Sequence, residues 1–194
     1  FGWNIDLTAL LSSAVKLTAN FAKKGNAEIV QDLLHFFRLR FKHLLSEKGI
    51  RYDIIDGVLA SPITSVKAVM KKAEIINARK DMEGFKEDLE ALSRIINISA
   101  KAVKAGEIDT ELFENDAETA LFNEYVQLKN MSASADEETF YNLLVGMRPV
   151  INDYFDRTMV MAEDEKVRQN RLSLMKELAD LICGYCHFQH IVVK

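Results

Sequence analysis

Residues 153–175 read Asp153-Tyr154-Phe155-Asp156-Arg157-Thr158-Met159-Val160-Met161-Ala162-Glu163-Asp164-Glu165-Lys166-Val167-Arg168-Gln169-Asn170-Arg171-Leu172-Ser173-Leu174-Met175. Val160 and Met161 close one apolar run. Ala162 to Glu165 then give an acidic start to a new helix, where the positive end of the helix dipole favours carboxylates. Arg168, Asn170 and Arg171 fall in the next two turns, beside the core-facing Leu172, Leu174 and Met175. Dipole and amphipathic packing explain the acids and the leucines. They do not explain two arginines and an asparagine held against an apolar run.

The rest of the chain reads as helix. Of 194 residues, 48% are hydrophobic, only two are proline and eight are glycine, which is the composition of an all-α protein with a full core. No uninterrupted apolar run reaches membrane-spanning length. The chain opens on Phe1 without a basic and apolar leader, so it reads as a piece of a longer, non-secreted polypeptide. Two cysteines make no disulfide framework and fit a reducing, cytoplasmic setting. Charge is split: residues 1–80 hold 13 Lys/Arg against 7 Asp/Glu, and residues 81–194 hold 12 against 22. Such asymmetry marks either an anionic partner on one side or a solvated surface.

Helical periodicity and stop signals place the elements. A first helix, capped by Asn4 or Asp6, runs to Ala22, and Gly25 ends it. The spacing predicts further helices over 27–48, 52–60 and from Ser65 to Arg79. Others are predicted over 81–105, 116–130, from Asp136 toward Met147, over 150–160 and over 164–190. Ser61-Pro62 breaks one of them, and Pro149 takes a kink or first-turn position. Residues 1–25 form a leading helical segment, and 26–194 an irregular helical bundle.

Several segments, in order, resemble the anticodon-binding region of the β chain of bacterial glycyl-tRNA synthetase. Phe36-Phe37-Arg38-Leu39-Arg40 through Leu44-Leu45 is similar to that family's opening helix. Gly49 to Ala60 is similar to the stretch after it, with Gly57 where alanine is usual. Ser93-Arg94-Ile95-Ile96-Asn97-Ile98 resembles a Lys-Arg-Val-x-Asn-Ile segment. Leu112-Phe113-Glu114 and Asp153-Tyr154-Phe155-Asp156 also fit. The most specific piece is Val160 to Glu165, continuing through Arg168, Asn170, Arg171 and Leu172.

The resemblance implies an all-α bundle of the DALR anticodon-binding type that contacts glycine tRNA. It also implies a separate α chain in an α2β2 enzyme, with ATP and magnesium at the catalytic site of that α chain. This segment is then part of a ligase without a catalytic site of its own, and it carries no phosphate-cradling glycine loop. The DALR-type domain of arginyl-tRNA synthetase, or a helical protein-binding scaffold, are the alternatives.

Unpaired bases are read by stacking on planar groups and by hydrogen bonds to their edges. Arginine supplies a plane and a fork of donors, and asparagine a paired donor and acceptor. Arg168, Asn170 and Arg171 therefore either contact RNA or brace the closing helix, with Asp164 and Arg168 spaced to pair. Arg94 and Asn97 share a face, with Asn97 also readable as a buried, satisfied polar group. Arg38, Arg40, Lys42, His43 and Arg51 are phosphate candidates, and Arg148 and Arg157 are weaker ones. The RNA reading requires Arg38, Arg51, Arg94, Arg168 and Arg171 to converge on one exposed surface. Cys183-x-x-Cys186-His187-x-x-His190 has a metal- or haem-like spacing. On a continuous helix it would stretch over about 10 Å, too far for one ion. Asp53/Asp56 and Asp153/Asp156 read as capping or ion-pairing groups, not an acid/base pair.

Overall fold

A computed structural model describes residues 6–18, 24–63, 65–102 and 106–193, with no strand among them. In chain order the helices are α1 (Leu7–Thr18), α2 (Asn26–Glu47), α3 (Tyr52–Ala60), α4 (Val66–Arg79) and α5 (Phe85–Ser99). They continue with α6 (Asp116–Met131), α7 (Glu137–Gly146), α8 (Arg148–Arg157) and α9 (Glu165–Tyr185). Single 3-10 turns lie at Thr110–Leu112 and Phe188–His190. The all-helical expectation holds. The Asn4 cap and the run of the first helix to Ala22 lie outside the described residues.

Short polar side chains start four of the helices, each accepting from backbone N–H groups that have no partner within the helix. Ser65 caps α4 through Ala68, Asn115 caps α6 through Ala117 and Glu118, and Asp136 caps α7 through Thr139. Asp164 caps α9 through Lys166 and Val167. Asp164 therefore does not pair with Arg168 in the way their spacing suggested.

Several boundaries move: α5 stops at Ser99, short of 105, and α8 spans Arg148–Arg157 where 150–160 was expected. The fifth helix begins at Phe85, not Asp81, because Gly84 sits at φ 84° and turns the chain there; a left-handed residue of this kind costs glycine nothing. The last helix ends at Tyr185, and Cys186 is extended, with φ −157° and ψ 142°.

The core forms around α5 and α9, which pack against each other more extensively than any other pair. They run antiparallel. Gly106 and Asp109, after α5, bond to Ser173 and Asn170 in the first half of α9, while the tail after α9 returns to the start of α5. Leu172, Leu174, Met175, Leu178 and Ile182 of α9 are all buried, each contributing roughly 1.5–3 kcal/mol of apolar burial. α8 lies along α5 in the same direction: Arg148 bonds the Gly84 carbonyl and pairs with Asp88, and farther on Phe155 meets Arg94. α6 packs on α8 and α9. α1 packs on α2, and its Leu7 joins the same core cluster.

The tail locks onto α3. His187 N–H donates to the Gly57 carbonyl at 3.0 Å, and Cys186 is fully buried. A Cβ on residue 57 would stand 3.0 Å from the His187 carbonyl oxygen and 3.2 Å from the Cys186 sulfur. This close approach accounts for glycine at that position. Beyond it, the buried Asp53 carboxylate accepts the Val192 N–H at 2.7 Å and two bonds from Arg51, whose guanidinium also reaches the Val192 carbonyl.

Candidate nucleic-acid interface

The sequence motif at the start of α9 resolves into two layers. Asn170 and Arg171 are inside. Asn170 is 5% exposed; its amide accepts from the Asp109 N–H and donates to the Asp109 carbonyl, both at 2.8 Å, which fastens the 106–115 loop to α9. Arg171 is 4% exposed and reaches three partners. Its Nε and Nη2 donate to Glu118 at 2.7 and 3.0 Å, Nη2 to Glu114 at 2.7 Å, and Nη1 to the Met159 carbonyl at 3.1 Å. These carboxylates push the guanidinium pKa up further. RNA contact by Asn170 and Arg171 is thus replaced by bracing: their donors and acceptors are engaged within the core, and a base could reach them only by opening it.

Glu118, at 1% exposure, is the residue that the sequence reading missed. It also accepts from the Glu114 N–H and the Asn115 amide. The signal was available as Asn115-x-x-Glu118, the spacing of a capping box.

The other candidates differ in how far they are engaged. Arg168 donates to the Ala162 carbonyl and pairs with Glu165. Arg157 pairs with Asp116 and Asp153. Arg38 donates to the Leu59 carbonyl and Lys42 pairs with Asp56, so both are turned toward α3. His43 sits beside Glu47, and Arg51 is held by Asp53. The expected convergence on one exposed surface does not occur. Arg171 is buried, and Arg38 and Arg51 attach to opposite ends of α3.

Among the nine arginines of the chain, seven donate to a carbonyl, carboxylate or amide oxygen. Arg40 and Arg94 have no hydrogen bond or ion pair among the described residues. Arg40 is exposed on α2, on the side that also exposes Phe36, Leu39 and Leu44. Arg94 is exposed on α5, with its guanidinium carbon over the Phe155 ring at 4.3 Å from the centroid. Asn97, three residues on and exposed, has no hydrogen-bond partner among the described residues; its expected burial between Ile96 and Ile98 is corrected. The helix turns those two inward and leaves Asn97 on the Arg94 side.

Cys183, half-buried, and Cys186, fully buried, are free thiols, and burial raises the pKa of both. His187 and His190 meet edge-on at 5.8 Å. Among the described residues no three His, Cys, Asp or Glu side chains are placed to hold a metal ion. No helix of the described residues is long and apolar enough to cross a membrane.

The described residues form a helical bundle that exposes Arg94 and Asn97 on one helix face. Residues 89–183, from within α5 almost to the end of α9, match the DALR anticodon binding domain. Its relatives include glycine–tRNA ligase beta subunits. That of Halalkalibacterium halodurans is 41% identical over 172 residues, covering 87% of this chain and 25% of the relative. That of Bacillus subtilis is 38% identical, covering 84% of this chain and 24% of the relative, and one from Listeria monocytogenes is 31% identical over all of this chain and 28% of its own length. The chain thus spans about a quarter of the length of these curated relatives.

Proposed function

We propose that this chain is the anticodon-binding region of a glycine–tRNA ligase β subunit. It holds the anticodon loop of glycine tRNA while the ATP- and magnesium-dependent attachment of glycine takes place on a separate α chain, in a cytoplasmic α2β2 enzyme. The observation that carries the reading is that the DALR match over residues 89–183 encloses an exposed, unpaired Arg94 and Asn97 on one helix. The match to glycine-specific subunits weighs against the arginyl-tRNA synthetase alternative.

The test is binding of the complete ligase carrying this segment to glycine tRNA, and to the same tRNA with the second or third anticodon base changed, at two salt concentrations. Base reading should cost about 1–3 kcal/mol per changed base, by analogy with lost base contacts in duplex sites. Phosphate contacts alone give affinity that depends on salt but not on sequence. Equal affinity for all three tRNAs would overturn anticodon reading.

A further inference from the structure

We infer that Arg94, seated over Phe155, is the stacking surface for one unpaired anticodon base, and that Asn97 hydrogen-bonds the edge of that base; this rests on the anticodon-binding reading above. Two groups on one helix face retain the bonding capacity that base reading needs. Arg94 has one side of its guanidinium against the Phe155 ring and is otherwise exposed, with no carboxylate or carbonyl drawing its donors away among the described residues. The nearby acids have other partners: Asp88 pairs with Arg148 and Glu90 lies 4.0 Å from Lys86. Asn97 presents an amide with neither donor nor acceptor engaged among the described residues, about one helical turn along the same face. The seven bonded arginines lack this freedom, and Arg40, which shares it, has no aromatic ring against its guanidinium among the described residues.

Phe155 is a positioning residue here. A cation over an aromatic face is held there electrostatically, and Phe155 is itself fixed by an edge-on contact with Tyr154, a fully buried ring, at 5.4 Å between centroids. The guanidinium plane is therefore ordered before RNA arrives, and a base stacks on it without first having to immobilise a flexible side chain. Stacking takes any base but fixes it where the Asn97 amide can pair with one pattern of donor and acceptor on its edge, so discrimination needs both residues.

The decisive variant is Arg94→Lys, which keeps the charge and removes the plane. In the complete ligase, Arg94→Lys and Asn97→Ala should each weaken binding to glycine tRNA by roughly 5- to 150-fold, the range of a lost base stack. The penalty for a changed anticodon base should shrink at one anticodon position, while the salt dependence stays that of the wild type. Arg40→Ala should lower affinity equally for all anticodons. If the wild type discriminates between anticodons and Arg94→Lys discriminates equally well, this assignment is wrong while the anticodon-binding reading stands. If the wild type does not discriminate, the parent reading itself fails. Phe155→Leu should reduce discrimination in the same direction as Arg94→Lys; unchanged discrimination would remove Phe155 from the site.

Discussion

Replacing Arg171 by methionine tests the central brace. In the wild type, Glu118 is 1% exposed and takes two short bonds from Arg171, one from the Glu114 N–H and one from the Asn115 amide. Methionine fills much of the arginine volume but leaves Glu118 as a buried carboxylate with only neutral donors. Breaking a buried pair in this way costs about 3–5 kcal/mol, far more than an exposed pair. With a urea slope of about 2 kcal/mol/M, the unfolding midpoint should fall by roughly 1.5–2.5 M. The double variant Arg171→Met with Glu118→Leu removes both charges and should recover most of the loss, since apolar replacement of a buried pair is often neutral or better. Urea titration followed by circular dichroism measures all three proteins. A midpoint drop under about 0.5 M for Arg171→Met would refute the brace, on the same slope. So would a double variant that regains stability but no longer discriminates between anticodons, because Arg171 would then be reading RNA.

Three further outcomes follow from the geometry. The Tyr154 hydroxyl is buried with no hydrogen-bond partner among the described residues, so Tyr154→Phe should leave stability unchanged or raise it by about 1 kcal/mol; a loss above that, by thermal unfolding, would reveal a hidden partner. Burial raises the Asp53 carboxyl pKa, but the bond and charge of Arg51 and the Val192 and Ile54 N–H groups outweigh it and hold the folded pKa below the ordinary value. The stabilisation is therefore present above the unfolded value of about 4 and lost as pH falls through the folded value. Asp53→Asn should be less stable at pH 7 and show a flatter decline below about pH 4; an unchanged acid limb in urea midpoints would contradict this. Gly57→Ala brings a methyl to 3.0 Å from the His187 carbonyl oxygen. The melting temperature should drop by an amount equivalent to about 1–3 kcal/mol, despite the better helix propensity of alanine, and a rise would show that the tail simply shifts aside.

The sequence by itself determined the helices. Periodicity and caps are local, so Tyr52–Ala60, the Ser65 cap and the Asp136 and Asp164 starts could be read directly. Two of the boundaries that moved depended on a left-handed Gly84 and on the break at Cys186, and both serve distant partners: Arg148 bonds Gly84, and Cys186 seats against Gly57. The candidate site divided along the same line. That Arg94, Asn97, Asn170 and Arg171 were unusual polar residues on apolar helices was visible in one dimension. Which of them remained available was not. Asn170 and Arg171 found Asp109, Glu114 and Glu118 more than fifty residues away in the chain, whereas Arg94 met the ring of Phe155. Local spacing fixes which face of a helix a side chain occupies, but whether that face meets a carboxylate, a ring or solvent is decided by helices brought together in the tertiary fold.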